Sequence, residues 1–481
     1  MNHRELVSGI DLRRQVLPDN YEYRNWNNAA LKGNLIISKD SILVFGNIGI
    51  WLTDSVFNEY TSFNSGFPAG SDNRKISDVL RTTDGNLYAA TFFGLYSYDF
   101  GDNNWHKFKL EGRGERFTGL ECIGDTIFAL SRSHLYKGIS GGIKTDFTRI
   151  ELPQPPGFDN KITLFETIWQ IHSGEILGLP GKLYVDILGI LTIFLSITGI
   201  IFFFSPGWIK RRFRRNRKSE KIIRLSRWSL RWHNKVGAWT FVLLVILFFT
   251  GMFLRPPLLI AIGQTKVSPL KYSHLDQPNP WYDKLRDIIY DPDRKVFLLS
   301  TSEAICYMNP KDLIPVKFEN QPPISVMGIN VFQNYGNGYF LIGSFSGLFL
   351  WKPESHDTYN FITGEKFLES GRGRPVGDYK ITGLIKDTEN KLFLIEYGSG
   401  IQPIRHNSVF AKMPENILRE SKISLWNFCL EIHTGRIFEN LTGSLYILIV
   451  PLTGIAGITV VLSGYILWRR KYRKKGYNNI S

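Results

Sequence analysis

The sequence predicts a mixed membrane protein, with an all-β six-bladed propeller (3+3 blades) outside the membrane and three transmembrane α-helices. Two observations lead to this prediction: the chain contains three long apolar runs, and a short strand-like phrase recurs six times between them. With 481 residues the chain is also too long for one ordinary domain. Hydrophobic residues make up 43% and charged residues 21%, which fits neither a disordered chain nor a fully embedded one.

Three apolar runs are long enough to cross a bilayer. They occupy residues 183–205, 236–258 and 444–468. At about 1.5 Å per helical residue, each run covers the roughly 30 Å of bilayer hydrocarbon. The sequence therefore predicts three transmembrane helices and a lipid bilayer as the first partner of the chain.

The net charge of +15 is concentrated next to these runs. The link between the first two runs contains KRRFRRNRKSEKIIRLSR, and the third run is followed by RRKYRKK. Basic segments beside membrane spans stay in the cytoplasm, so the link at 206–232 and the C-terminal tail are expected there. Because the basicity is confined to these segments, a nucleic-acid-binding face is excluded.

This orientation places the N-terminus outside the cytoplasm, and the sequence shows no segment that would carry it there. Residues 1–35 contain no apolar stretch of the kind found in a signal peptide. We therefore expect a further N-terminal span, entering from the cytoplasm, to be encoded upstream of Met1.

The recurring phrase consists of two short apolar runs joined by a turn. Its copies begin at Ser41, Asn86, Thr126, Lys295, Gly338 and Lys391. Within each group of three they recur every 40–53 residues, and several short strands per repeat of this length are typical of a propeller. The copies resemble the blades of periplasmic sensor propellers.

Three copies precede the first pair of spans and three follow it. We expect one closed propeller, and two separate three-blade sheets are the alternative, which would leave strand edges exposed. The predicted domains are propeller half 1 at 1–164, a transmembrane hairpin with its basic link at 165–258, propeller half 2 at 259–424, and the third span with a basic tail at 425–481.

The segments that follow the two groups of copies match each other. TIWQIHSGEILGLPGKLY parallels FCLEIHTGRIFENLTGSLY, with one inserted residue. A duplicated unit is expected to pack about a pseudo-twofold axis, which would bring His172 and His433 together on neighbouring helices. Glu175 and Arg436 each lie three residues after a histidine and carry opposite charges, so they are candidates for an ion pair across that axis.

These phrases, together with RWHNKVGAWTFVLLVILFF, resemble the PepSY-associated transmembrane helix family of bacterial inner-membrane proteins. The resemblance implies the bacterial inner membrane, with the propeller on the periplasmic side in place of the usual PepSY domain. Some members of that family look like reductases that take iron from ferric siderophores. The resemblance therefore implies haem b as a cofactor.

Haem iron in an electron-transfer site is held by neutral imidazoles on facing helices. His172 and His433 are the predicted ligand pair. His233 lies at the other end of the second span, so it is predicted to bind a separate inner haem whose second ligand lies on the missing span. Asp186 is the one acid in the apolar runs, either a proton relay or a hydrated interfacial residue. A histidine at a membrane interface is also often only an amphipathic side chain.

Two classes of function remain open. In the first, the chain is a b-haem electron-transfer component that takes electrons from membrane quinol or a cytoplasmic donor and reduces an extracytoplasmic acceptor such as a ferric siderophore. In the second, it is a non-enzymatic, membrane-anchored propeller that binds a ligand or partner protein. The sequence has no GxxxxGK[ST], GxSxG or HExxH motif and no GxGxxG after a strand, so ATPase, hydrolase, zincin and nucleotide-dependent reductase classes have no support.

The three cysteines, Cys122, Cys306 and Cys429, lie far apart and form no CxxC pair. An odd, sparse set of this kind excludes a disulfide framework. Buried free thiols are expected, and one bridge between Cys122 and Cys306 is the alternative.

Overall fold

The structure is a computed structural model that describes residues 3–14, 21–111, 115–263, 265–325, 328–355, 357–367 and 377–477, without the side chains of 471–477. The described chain divides into two compact units. The β unit comprises His3–Phe158 and Pro278–Cys429, and the helical unit comprises Asp159–Gln277 and the chain from Leu430 onward.

Within the described residues, the β unit contains six antiparallel sheets, five with four strands and the last with three. Strand β1 (Asp11–Leu12) precedes them and pairs with the last strand, β27 (Ile423–Ser424). The first three sheets are β2 (Gly33–Ser38), β3 (Ser41–Gly46), β4 (Gly49–Thr53) and β5 (Tyr60–Ser62); β6 (Ile76–Arg81), β7 (Leu87–Thr91), β8 (Gly94–Asp99) and β9 (Asn104–Lys107); and β10 (Phe117–Ile123), β11 (Thr126–Ser131), β12 (Leu135–Ile139) and β13 (Thr148–Ile150).

The last three sheets follow the two-stranded pair formed by β14 (Ile162–Thr163) and β15 (Lys266–Val267) in the helical unit. They are β16 (Leu285–Asp291), β17 (Val296–Thr301), β18 (Ile305–Met308) and β19 (Val316–Lys317); β20 (Ile329–Gly336), β21 (Tyr339–Ser344), β22 (Gly347–Trp351) and β23 (Thr358–Asn360); and β24 (Ile381–Lys386), β25 (Leu392–Glu396) and β26 (Gly400–Pro403). Every pairing inside these sheets joins strands that are consecutive in the sequence.

The recurring phrase of the sequence forms the second and third strands of each sheet. In the second sheet, for example, NLYAATFFGLY forms β7 and β8, and all five residues of β7 are buried. An uninterrupted apolar run is expected for a strand that is covered on both faces. Gly94 opens β8 with a φ of 155°, and the matching Gly49 in the first sheet has a φ of 98°, a conformation that favours glycine.

Six buried apolar clusters join the sheets to one another, each cluster drawing residues from two sheets. Five of them, among the described residues, connect sheets that follow one another in the chain. The sixth connects the last sheet with the first and contains Ile42 and Val44 of β3 with Phe393 and Ile395 of β25. Each sheet therefore packs against two neighbours, and burial of these apolar faces is the main source of stability.

Acidic side chains also tie the first strands of neighbouring sheets together. Asp78 of β6 accepts a hydrogen bond from the Leu120 amide of β10 at 2.9 Å. Glu121 of β10 accepts one from the Tyr290 amide of β16 at 2.6 Å. Burial raises the pKa of Asp78 to about 6 and that of Glu121 to about 7, and burial together with the charge of Asp78 raises the pKa of Asp287.

These raised pKa values predict that the β unit loses stability as the pH rises. An acid whose folded-state pKa exceeds its unfolded value of about 4 contributes stability below pH 4 that is lost as the pH rises through the folded pKa. The thermal unfolding midpoint of the β unit is therefore expected to be lower at pH 7 than at pH 5, by about 3 °C or more. Circular dichroism of the full chain in detergent, at constant ionic strength, measures it.

The matched control for this prediction removes the three charges and keeps the hydrogen-bond acceptors. The triple variant Asp78→Asn, Glu121→Gln, Asp287→Asn should show a much flatter midpoint between pH 5 and pH 7. A wild-type midpoint that rises over the same interval would contradict the assignment.

Among the described residues, three helical stretches are long and apolar enough to cross a membrane: Glu175–Phe213, Glu220–Met252 and Arg436–Arg470. The protein is therefore a membrane protein, and its long helices are α2, α3 and α8. The α-helices in chain order are α1 (Leu164–Ser173), α2 (Gly178–Phe213), α3 (Glu220–Met252), α4 (Leu258–Ile262), α5 (Glu415–Glu420, in the β unit), α6 (Leu425–His433), α7 (Glu439–Thr442) and α8 (Ile449–Tyr477).

The long helices differ from the predicted spans mainly at their ends. Most of the basic link at 206–232 is helical, since α2 runs on to Phe213 and α3 starts at Glu220, which suits arginine and lysine as good helix formers. Helix α3 ends at Met252, before the predicted end at 258, because the residue preceding Pro256 is disfavoured in a helix. A 3₁₀ helix, Gly443–Leu448, precedes α8.

Helix α3 packs against both α2 and α8. The rings of Phe241 on α3 and Tyr465 on α8 stack with their centres 3.7 Å apart. Gly457 of α8 lies so close to α3 that a Cβ there would be 2.8 Å from the Phe248 ring. Small residues at such crossings let two helices approach closely, so α3 is the middle helix of the three.

Candidate functional site

The two H-[ST]-G phrases of the sequence form helix ends that present a histidine. Thr163 caps the start of helix α1, because its hydroxyl accepts a hydrogen bond from the Glu166 amide, and the helix ends at Ser173, directly after His172. Gly174 follows with a φ of 77°, and Gly435 plays the same part after His433 with a φ of 72°. A left-handed glycine is a common helix stop, so the glycine of each phrase ends the helix next to its histidine.

The structure brings His172 and His433 together. Their ring centres lie 6.1 Å apart, and the ring planes are inclined by 47°. The two rings are therefore neighbours, as the duplicated phrase predicted.

The His172 ring is held by α3. Its Nδ1 lies 3.1 Å from the Leu247 carbonyl oxygen and 3.2 Å from the Thr250 hydroxyl. That hydroxyl donates to the Ile246 carbonyl at 2.7 Å, so the imidazole is the donor in both of its own contacts. A proton on Nδ1 leaves the lone pair on Nε2, which is the tautomer that a metal ligand requires.

Burial also keeps both imidazoles of the pair neutral. It lowers the pKa of His172 to about 4, with a further contribution from the neighbouring His433. Burial lowers the pKa of His433 as well. At neutral pH the two rings are therefore uncharged, in the form that can bind a metal ion.

His233 is held by α2 in the same way. Its Nδ1 lies 3.1 Å from the Leu195 carbonyl oxygen and 3.1 Å from the Thr198 hydroxyl. That hydroxyl donates to the Phe194 carbonyl at 2.8 Å. The hydrogen-bond pattern of His233 on α2 thus repeats that of His172 on α3.

Both acceptor sites have the sequence L-x-x-T-G, as LSITG at 195–199 and LFFTG at 247–251. The final glycine leaves room for the imidazole: a Cβ on Gly251 would be 2.9 Å from Cε1 of His172, and one on Gly199 would be 3.3 Å from Cε1 of His233. These leucines and threonines were not among the residues predicted from the sequence. The pattern L-x-x-T-G occurs twice in the sequence, and this recurrence could have identified them.

A third segment, VPLTG at 450–454, has a related sequence on α8. Thr453 donates to the Ile449 and Val450 carbonyls as the other two threonines donate to theirs. The space beside Gly454 faces Met252, whose Cγ would be 2.2 Å from an added Cβ. Thr453 is therefore a natural control for the two histidine-binding threonines.

A cavity of about 540 Å³ lies between α2, α3 and α8, and His233 forms part of its wall. The rest of its wall is mostly apolar and combines glycines of the three helices with aromatic side chains such as Phe248 and Tyr465. His233 and Leu247, the contact of His172, are 14 residues apart on α3, or about 21 Å along the helix. The helical unit therefore holds two separate histidine sites.

The predicted ion pair between Glu175 and Arg436 is wrong. Lys182 binds Glu175 at 2.6 Å, and Glu431 binds Arg436 at 2.7 Å. Each charge thus has a partner within its own copy of the duplicated segment, because a local partner is reached at a smaller cost in side-chain entropy. Asp186 lies partly buried on α2.

The three cysteines are all free, but the expected burial holds only for Cys306, since Cys122 is half-buried and Cys429 is exposed. The alternative of a bridge between Cys122 and Cys306 is wrong. Cys122 packs against the cluster between the second and third sheets, whereas Cys306 belongs to the cluster between the third and fourth.

A family model described as the PepSY-associated TM region matches residues 152–471, more than half of the chain. The chain belongs to the PepSY-associated TM family. This confirms the resemblance that the histidine phrases indicated. The match includes both H-[ST]-G phrases, all three long helices and the last three sheets of the β unit.

No protein with a curated description matches this PepSY-associated TM protein. Among solved structures, it is similar to the extracellular domain of a hybrid two-component system from B. thetaiotaomicron, with 14% identity, a TM-score of 0.36, and coverage of 81% of this chain and 40% of that one. It is also similar to a surface component of the type-IX secretion system of Porphyromonas gingivalis, with 9% identity, a TM-score of 0.33, and coverage of 80% and 31%.

A third similar structure is that of dihydro-heme d1 dehydrogenase, with 9% identity, a TM-score of 0.30, and coverage of 80% of this chain and 56% of that one. The PepSY-associated TM protein spans less than two thirds of each of these chains. At such low TM-scores, these similarities lead to no conclusion about function.

The contact between Gly251 and His172 can be tested by adding one methyl group. Gly251→Ala is expected to push His172 off the Leu247 carbonyl and to lower the thermal unfolding midpoint of the PepSY-associated TM protein in detergent. Gly189 on α2 has no described atom within 4 Å of an added Cβ, so Gly189→Ala should be neutral or stabilise the helix by up to about 1 kcal/mol. Equal midpoints for the two variants would argue against the contact.

Proposed function

We propose that this protein is a haem-binding electron-transfer component that reduces an extracytoplasmic acceptor, such as a ferric siderophore. The single observation that carries the proposal is the common setting of His172 and His233. Each donates Nδ1–H to an L-x-x-T pair on the neighbouring helix, which leaves Nε2 as the free ligand atom. Hydrogen bonds of this kind orient histidine ligands and raise their basicity.

His172 and His433 would hold one haem iron between them. Their ring centres lie 6.1 Å apart, and burial lowers the pKa of both imidazoles, which favours the neutral form that binds a metal ion. A bound b-type haem supplies one-electron chemistry at its iron, at a potential set by such ligands and their hydrogen bonds.

The cavity beside His233 fits a second flat group of similar kind. Its volume of about 540 Å³ and its largely apolar lining suit a macrocycle, and His233, which forms part of its wall, would be one ligand. With haem held by His233 and by the pair of His172 and His433, these residues would place a redox group between an electron donor, membrane quinol or a separate cytoplasmic protein, and the extracytoplasmic acceptor.

We also infer that the six sheets close into a six-bladed propeller on the periplasmic side of the bacterial inner membrane. The cluster that joins the last sheet to the first supports closure, since it gives every sheet two packed neighbours. The basic residues between α2 and α3 and after α8 support a cytoplasmic location for those segments.

Absorption spectra of the purified protein test the haem proposal directly. Expressed with ample haem, the protein is expected to show a Soret band, and α and β bands after reduction with dithionite. The double variant His172→Ala, His433→Ala should lose the signal of one haem, and His233→Ala that of the other. His106→Ala, an exposed histidine of the β unit, should leave the spectrum unchanged. A colourless wild type would contradict the proposal.

The threonines allow a second prediction about the same sites. Thr250→Val removes one acceptor of the His172 N–H and should weaken haem retention about tenfold, as loss of a ligand's hydrogen-bond partner commonly does. Thr453→Val removes an equivalent hydroxyl that holds no histidine and should have no such effect. The rate of haem transfer to an apo-globin acceptor measures both, and equal rates would show that Thr250 has no part in the site.

The second candidate is a membrane-anchored binding protein in which the β unit recognises a ligand. The observation that favours it is a group of basic side chains in the β unit, Lys32, Lys75 and Arg116, which has fewer acidic partners than positive charges. This candidate accounts for the β unit even if the helical unit binds no haem.

A further inference from the structure

A basic residue stands directly before the first strand of five of the six described sheets. These residues are Lys32 before β2, Lys75 before β6, Arg116 before β10, Lys284 before β16 and Lys380 before β24. Strand β6 lies beside both β2 and β10, so the first three of these residues belong to neighbouring sheets. The start of the first strands therefore collects positive charge at one end of the β unit.

Three of the five, Lys32, Arg116 and Lys380, make no ion pair with an acidic residue that the structure describes, and of these only Lys380 is exposed. Lys75 binds Asp72 at 2.8 Å, and Lys284 binds Glu303 at 3.2 Å. Lys32 and Arg116 make no hydrogen bond or ion pair through their side chains with any residue that the structure describes, and Nε of Arg116 is buried without a partner.

Further positive charge lies next to Arg116. The guanidinium carbons of Arg4 and Arg116 lie 4.0 Å and 4.8 Å from the centre of the same Phe92 ring. Arg4 shares the carboxylate of Asp72 with Lys75, so one negative charge serves two positive ones. The cluster thus has more cations than carboxylates within reach.

Lys32 and Arg116 both have lowered pKa values. Burial, followed by the charges of Arg116 and Lys75, lowers the pKa of Lys32 to about 7. Burial, followed by the charges of Arg132 and Arg4, lowers the pKa of Arg116 to about 10. Enclosed cations without partners are unfavourable, and a bound anion would relieve that cost.

We propose that Lys32, Lys75 and Arg116 form a binding site for a small anion that carries at least two carboxylate or phosphate groups. Two groups suit the site because Lys32 and Arg116 come from different sheets and neither makes an ion pair with a carboxylate that the structure describes, although the charge of Asp283 acts on Arg116 from a distance. The planar fork of an arginine binds a carboxylate or phosphate through two parallel hydrogen bonds, and a lysine adds a point charge. The proposal does not depend on haem binding.

Isothermal titration calorimetry of the full chain in detergent tests the site. The probes are citrate for a polycarboxylate and pyrophosphate for a phosphate, each compared with sodium chloride at the same ionic strength. At least one probe is expected to bind the wild type, and the one that binds identifies the class of ligand. Lys32→Met and Arg116→Met should each weaken that binding by at least about tenfold.

Two controls separate binding from folding. Lys39 is exposed in the turn after β2, at the opposite end of that strand from Lys32, so Lys39→Met should change the affinity by less than about twofold. Lys32→Met removes an unpaired enclosed charge and should leave the thermal unfolding midpoint unchanged or higher. The proposal is overturned if neither probe binds more tightly than chloride, or if Lys39→Met weakens binding as much as Lys32→Met does.

Discussion

The packing of α3 between α2 and α8 is the contact on which the arrangement of the helical unit depends. Helix α3 provides the Leu247 carbonyl and the Thr250 hydroxyl that hold His172, and it also carries His233, which is held in turn by α2. A shift of α3 along its axis would therefore disturb both histidine sites at once. The two sites are coupled mechanically through one rigid element, whatever group binds to them.

The β unit depends in a similar way on contacts between distant parts of the chain. The chain leaves this unit at Phe158 and re-enters it at Pro278, so the third and fourth sheets pack together across a long excursion. The first and last sheets are separated even further in sequence and share the cluster around Ile42 and Phe393. Such contacts carry a loop-closure cost that grows only slowly with length, which makes an insertion of this size tolerable.

The six sheets and the histidine pair could be predicted from the sequence because both arise from sequence phrases that occur more than once. The repeated phrase was recognisable because the second and third strands of each sheet are buried on both faces and so read as apolar runs. The pairing of His172 with His433 followed from the duplicated H-[ST]-G phrase. The family assignment rested on the same residues.

What could not be predicted depends on tertiary packing. The acceptors for His172 and His233 include backbone carbonyls, which every residue carries, so only the helix crossings decide which ones are used. The basic cluster of Lys32, Lys75 and Arg116 was not predicted, because these residues are about 40 positions apart and form no basic stretch in the sequence. The two arginine-rich segments also dominate the net charge. The ion pair expected between Glu175 and Arg436 was wrong because each side chain has a nearer partner.

The two sides of the cluster that joins the first and last sheets are synthesised at very different times. Ile42 and Val44 leave the ribosome early, whereas Phe393 and Ile395, which cover them, are made some 350 residues later. At about 5–20 residues per second, the first sheet waits on the order of tens of seconds for its second neighbour. Over that interval one apolar face of the nascent chain stays uncovered, so the cell has to shield this face from aggregation until translation is nearly complete.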